Sequence, residues 1–179
     1  SSSGIYAEAT SWSLDAWGAY LLAVSSKDGK LYEWQGNTGV KAQIVSNAPV
    51  NNKGMVVTEE RFVFCLGAGG NPRKVAWCDK EANTVWSASA TNEAGDIELV
   101  TNGQIMCGLR IKGRTLILTD TDAHVAQYSG APFVYGFERV GTACGISSRK
   151  GGVSIDEGAF WMGAKGFFTF DGSTAKEVP

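Results

Sequence analysis

One histidine (His124), four prolines and four cysteines in 179 residues leave little material for most site chemistry. The cysteines, Cys65, Cys78, Cys107 and Cys144, show neither CxxC nor CxC spacing, and His124 is the one imidazole they could share a metal with. Structural zinc needs clustered thiolates and imidazoles, so no metal site and no cofactor is expected. Small buried hydrophobes on strands account for these cysteines better. Cys65 and Cys78 lie on opposite arms of one hairpin, where a cross-strand disulfide is open to them at strained geometry. Free thiols are the expectation. No apolar run approaches the roughly 18–20 residues of a membrane span. No charged segment leads into an apolar one near the start, so no signal peptide is read. The formal charge is −2, and the basic residues are scattered, with Arg73-Lys74 and Arg149-Lys150 only adjacent pairs. That gives no electrostatic case for nucleic-acid binding. A 3.6-residue apolar period of helical length is also missing.

What the chain does have is apolar area and glycine. A hydrophobic fraction of 44% with 19% charge argues against disorder, and the length suits one domain. The 23 glycines fit a chain with many tight turns. Six Trp, eight Phe and five Tyr supply large surfaces for packing sheet against sheet. These aromatics are not evenly mixed. They close four hairpin-like stretches, at 20–34, 62–77, 116–128 and 159–170, on Trp34, Trp77, Tyr128 and Phe170. The closing aromatics are 43, 51 and 42 residues apart. A period of about 40–50 residues with a turn in the middle of each unit belongs to propeller blades and similar arrays. One such unit cannot bury both faces of its small sheet, so neighbours must do it.

Each repeat extends to four strands, with repeats near 8–46, 55–89, 104–140 and 153–178. Strands are expected at 8–14, 20–25, 30–34 and 41–46 in the first, and at 55–58, 62–66, 74–78 and 85–89 in the second. The third holds 104–111, 115–119, 125–128 and 133–140, and the fourth 153–155, 159–162, 167–170 and 176–178. Asp28-Gly29 is the strongest hairpin signal, and Lys112-Gly113, Glu157-Gly158 and Lys165-Gly166 place glycine where a tight turn needs it. Second strands such as Phe62-Val63-Phe64-Cys65-Leu66 and Leu116-Ile117-Leu118 are apolar on both sides of the pleat, as strands sandwiched between blades should be. The polar segment 88–96 accounts for the longest gap. The expected fold is therefore all-β and propeller-like, with about 16 antiparallel strands in one domain over 1–179. It is either a complete small propeller or part of a larger one. Trp34 and Trp77 are expected in the core, each costing about 3–5 kcal/mol on truncation to alanine.

Motif by motif, chemistry gives way to structure. The loop Gly67-Ala68-Gly69-Gly70-Asn71-Pro72-Arg73-Lys74 misses the GxxxxGK[ST] pattern and leads into no helix, so it reads as a wide hairpin turn. Asp120 and Asp122 around Thr121 lack the further ligands, mid-loop glycine and distal glutamate of a calcium loop, and Asx-type turn bonding explains them. His124 is the one candidate imidazole base, at the edge of a turn, and no GxSxG elbow nominates a nucleophile for it. The carboxylate pairs Glu59-Glu60 and Asp156-Glu157 fall at turns, where solvated charge is the default. Ser154-Ile155-Asp156-Glu157-Gly158-Ala159-Phe160-Trp161 resembles the Asp-box of sialidases and related propellers, S-x-D-x-G-x-T-W, with Phe160 in the Thr place. In that family the box is a structural hairpin staple, and it occurs once here. No catalytic residue is assigned.

Read as phrases, the chain resembles the propeller-forming region of podovirus-type phage tail proteins, the tail hub and nozzle (tail tubular) group. The stretches that carry the likeness are 12–34, 47–68, 75–99, 116–146 and 160–172, from WSLDAWGAYLLAVSSKDGKLYEW to FWMGAKGFFTFDG. Members of that group are usually longer, which implies a fragment or one domain of a larger virion protein, with SSSG a cut end. The resemblance implies a structural part without enzymatic activity, located in the virion tail and assembled in the host cytoplasm. Its partners would be copies of itself in a ring and other virion proteins such as portal, adaptor or tail fibre, around a channel that passes DNA without specific binding. Two other readings stay open. A ligand- or carbohydrate-binding propeller would use exposed aromatics such as Trp12, Trp17 and Trp86, and a glycosidase-type propeller would need Arg and Asp/Glu converging on one pocket.

Overall fold

The computed structural model describes residues 9–179. Sixteen strands form four separate four-stranded antiparallel sheets, each a simple up-and-down meander. Blade 1 comprises β1 (Trp12–Trp17), β2 (Tyr20–Ser25), β3 (Leu31–Trp34) and β4 (Gln43–Ile44). Blade 2 comprises β5 (Gly54–Val57), β6 (Val63–Leu66), β7 (Lys74–Trp77) and β8 (Gly95–Glu98). Blade 3 comprises β9 (Ile105–Ile111), β10 (Arg114–Thr119), β11 (Asp122–Gly130) and β12 (Val134–Thr142). Blade 4 comprises β13 (Gly152–Ser154), β14 (Ala159–Met162), β15 (Phe167–Phe170) and β16 (Ala175–Val178). Among the described residues the one helical element is the short 3₁₀ turn Ala68–Gly70.

The turns form where their chemistry requires. Gly29 adopts φ 66° after Asp28, whose Oδ1 accepts the Lys30 N–H at 3.1 Å. A Cβ at Gly29 would stand 2.6 Å from Asn51 Cα, so the approach of the next blade's loop also demands glycine. The 67–74 loop is the wide β6–β7 turn. Gly67, Gly69 and Gly70 all lie at positive φ, and Asn71 Oδ1 accepts the Arg73 N–H at 3.0 Å.

Two strand placements need correction. The first strand, expected at 8–14, is β1 at Trp12–Trp17, and Glu8 lies outside the described residues. The expected strand 85–89 does not form, so the second repeat runs from 54 to 98. Val85 instead closes a tight turn, with Asp79 N–H donating to Val85 O at 2.8 Å, and Trp86 turns inward to donate from Nε1 to Asn83 O at 2.6 Å. The outer strand of blade 2 is β8, because its place opposite Trp77 needs glycine. Gly95 pairs with Trp77, and a Cβ there would stand 2.8 Å from the indole. Ion pairs Lys74–Asp96 (2.8 Å) and Arg73–Glu98 then hold this polar strand to β7.

Consecutive blades pack face to face, and three apolar cores fill the gaps between them. Leu22, Val24 and Leu31 of blade 1 meet Met55, Val57 and Val63 of blade 2. Between blades 2 and 3, Phe62, Phe64 and Trp77 pack on Tyr135, with Phe64 and Tyr135 edge-to-face at 4.8 Å. Leu116, Leu118 and Val125 of blade 3 meet Trp161 and Phe170 of blade 4. β6 and the middle of β10 are buried on both sides, as sandwiched strands must be. Inner strand β1 packs on β5, β5 on β9 and β9 on β13. No comparable packing joins β13 back to β1 among the described residues. Leu14 on β1 and Val153 on β13, which closure would bury first, are 59% and 60% exposed. Among the described residues blade 4 is not packed on blade 1, so the four blades form an open arc.

The cysteines are free thiols, three buried and Cys107 half-buried. Burial pushes Cys78 and Cys107 up to about 12 and Cys144 to about 11, and raises Cys65 as well. Burial also raises the Tyr135 phenol, against a lowering bond from Thr58 and with the Glu60 carboxylate reinforcing it. Folded, these groups keep protons that the unfolded chain begins to release near the thiol's ordinary 9.0. Where the folded state binds more protons, stability falls as pH rises. Stability should therefore be level up to about pH 8 and decline progressively between about 9 and 12. Urea midpoints at pH 7, 9 and 10.5 measure this, and a midpoint that does not move would contradict it.

Candidate interaction surface

The polar residues singled out in the sequence are mostly consumed in structural bonds within and between blades. His124, 4% exposed on β11, places Nε2 at 3.0 Å from Asp122 Oδ1. The same oxygen accepts from Thr119 Oγ1 at 2.6 Å and Thr101 Oγ1 at 2.9 Å. Asp122 is thus a buried hub and not an Asx turn. The turn bonding comes from Thr119 Oγ1, which accepts the Thr121 and Asp122 N–H groups at 3.0 and 2.9 Å. Asp120 Oδ1 accepts the Gln104 N–H at 2.9 Å, which ties the β10–β11 turn to the start of β9. Among the described residues no group of three or more His, Cys, Asp or Glu is arranged to hold a metal.

The Glu59-Glu60 pair finds specific partners, contrary to the expectation of plain solvated charge, whereas Glu157 makes only an exposed pair with Lys112 at 3.1 Å. Glu60 Oε2 accepts the Tyr135 hydroxyl at 2.9 Å, that hydroxyl lies 2.8 Å from Thr58 Oγ1, and Glu59 accepts the Gly113 N–H. Both glutamates therefore join the β5–β6 loop of blade 2 to blade 3. The Asp-box-like segment is the β13–β14 hairpin. Ile155 N–H donates to Gly158 O at 2.9 Å, Asp156 O accepts the Lys112 N–H at 2.9 Å, and Trp161 is buried with Nε1 donating to Cys144 O at 2.6 Å. Sequence reasoning missed these inter-blade ties because each partner lies on a different repeat.

The arginines do not converge. Arg73 pairs with Glu98, Arg110 spans Asp15 (3.4 Å) and Val57 O (2.9 Å), and Arg114 donates to Gly172 O at 2.7 Å. Arg139 Nη1 stands 3.9 Å from Asp122 Oδ2 on the hub. Nor do the three tryptophans line one face. Trp17 is buried between blades 1 and 2 with the Arg61 guanidinium 4.6 Å over its ring. Trp86 is half-buried in a groove of about 250 Å³ that Asn47, Lys74, Ser87 and Asp96 also line. Trp12 sits on the bare face of blade 1.

That bare face is the largest unexplained feature. By register, Trp12, Leu14, Leu21, Tyr32, Trp34 and Ile44 share the side of blade 1 that turns away from blade 2. Val153, Phe160, Met162, Phe167 and Val178 share the side of blade 4 that turns away from blade 3, with Phe167 61% exposed. A hollow of about 360 Å³ lies over this second face, bounded by Val153, Phe160, Met162 and Phe167, with Lys150 at its edge. Scattered exposed apolar residues are ordinary, but contiguous apolar sheet faces mark interaction sites.

No family model matches the chain, and no curated protein matches it. Among solved structures it is similar to the AfRom2 CNH domain, with a TM-score of 0.51 and 13% identity over 90% of this chain and 52% of that one. The chain spans about half the length of that structure. The CNH domain is a β-propeller, and at this identity the likeness establishes fold alone: four propeller blades.

Proposed function

We propose that this domain is a non-catalytic building block of a bacteriophage tail, in the hub or nozzle, working through surfaces shared with copies of itself and with other virion proteins. The observation that carries the assembly part is the pair of bare apolar faces at the two ends of the arc. The tail part rests on the phrase-level resemblance to podovirus hub and nozzle proteins. The engagement of His124 and Asp122 in a buried hub favours a structural role over catalysis. The net charge of −2 suits a channel wall along which DNA slides without adhering, since phosphate binding needs clustered Lys and Arg. Removing residues 12–178 from the virion protein that carries them tests the role. Tailless or leaking heads under the electron microscope are the expected result, and complete, infectious tails would refute it.

A second reading, a ligand-binding propeller, is favoured by one feature, the Trp86 groove with its polar rim. Titrating an oligosaccharide panel against Trp fluorescence separates the two. A saturable change abolished by Trp86→Ala would support binding.

A further inference from the structure

The two bare faces are of opposite kind. Within the chain every covered junction places the following-side face of one blade on the preceding-side face of the next, three times over. Blade 1 leaves a preceding-side face bare and blade 4 leaves a following-side face bare. We propose that a second copy of this chain covers them head to tail, blade 4 of each copy seated on blade 1 of the other.

Three features favour a second copy. The contact continues a packing mode that the chain already uses, so no new kind of interface is needed. Both faces carry the residue types of the blade 2–3 and blade 3–4 junctions: aromatics at the middle strands (Trp34 on one face, Phe160 and Phe167 on the other) and aliphatics on the innermost strands (Leu14 and Val153). By contrast, charge is almost absent from them. The strand positions on these two faces carry one charged residue, Lys176, on the outermost strand, where it pairs with Asp171 at 2.8 Å. Lys150, at the edge of the blade 4 hollow, is a further charge, and it is exposed, so the sheet positions themselves can be buried without burying an unpaired charge. The contact joins two different surfaces, so it is heterologous, and a heterologous contact whose rotation closes gives a ring. With two copies, both junctions would be used and eight blades would surround one axis.

This inference deepens the assembly reading and rests on it for the premise that copies pack together. The virion role is tested in particles and the head-to-tail contact on the purified chain, so either can fail alone. The test is the solution mass of the 179-residue chain by light scattering after size exclusion, for wild type, Leu14→Lys and Phe160→Lys. Wild type should run at twice the 19.0 kDa of one chain. Each variant, shown folded by an unchanged far-ultraviolet circular dichroism spectrum, should fall to half that mass. A wild type that stays monomeric at all concentrations overturns the proposal and leaves the faces to another protein. A variant that keeps the dimer overturns it too, because like faces would then be pairing. If either lysine variant fails to fold, Leu14→Ser or Phe160→Ser is measured in its place with the same outcomes.

Discussion

Trp77→Ala should lower stability by about 3–5 kcal/mol, the usual loss for a large buried aromatic. Trp77 is 5% exposed, stacks on Phe137 at 5.9 Å, meets Tyr135 edge-on at 5.7 Å, and donates from Nε1 to Glu93 O at 2.8 Å. Its removal opens a cavity between blades 2 and 3 and strands the Glu93 carbonyl. It also removes the reason for Gly95, so β8 loses its anchor at one end. A domain of this size has only about 5–15 kcal/mol to lose. Trp34→Ala, at the equivalent place in blade 1, should cost only about 1–2 kcal/mol at concentrations where copies are apart. Trp34 is half-buried, on the face without a neighbour, and its Nε1 bonds Asn37 O and Val40 O within its own hairpin. Lys165→Ala, exposed at the β14–β15 turn, should stay within about 0.5 kcal/mol. Denaturant midpoints for the three variants give the ranking, and equal shifts for Trp77 and Trp34 would show that the arc is closed.

The second large effect is expected at the hub. Asp122→Ala should cost about 3–5 kcal/mol, as when one partner is cut from a buried polar cluster. Thr101, Thr119 and His124 all direct a polar atom at Asp122 Oδ1, and all four residues are buried, so losing the accepting oxygen leaves buried polar atoms without their partner. Asp122→Asn keeps one carbonyl oxygen and should recover part of the loss. The comparison separates the accepting oxygen from mere volume. Equal destabilisation by both substitutions would show instead that the carboxylate charge, facing Arg139, is what matters.

Much of the fold is legible in the chain because blades are local objects. A meander pairs each strand with its sequence neighbour, so turn residues and the spacing of closing aromatics reveal it directly. β2, β14 and β15 begin and end where turn chemistry and apolar runs place them. The failure at 85–89 is local too, and instructive. Val85-Trp86 has strand composition, yet Trp86 is taken up by the core between blades 1 and 2, while the polar segment Gly95–Glu98 pairs with β7 through glycine and ion pairs. Propensity lost to the demand of one tryptophan for space.

The candidate surface was less legible, for the same physical reason. YLLAVS and AFWM are apolar on both sides of the pleat, which predicts a sandwiched strand but says nothing of which neighbour supplies the second layer. By itself, the sequence determined sixteen strands in four repeats, the hairpin turns and the scarcity of site chemistry, all fixed by residues close in the chain. Only the tertiary structure decided that Glu59, Glu60 and Asp122 act as ties between distant segments, that Trp34 and Trp77 are not equivalent, and that the arc stays open. Those depend on the sum of small rotations between blades. Such rotations come from side-chain volumes meeting across interfaces, a long-range property that no local pattern encodes.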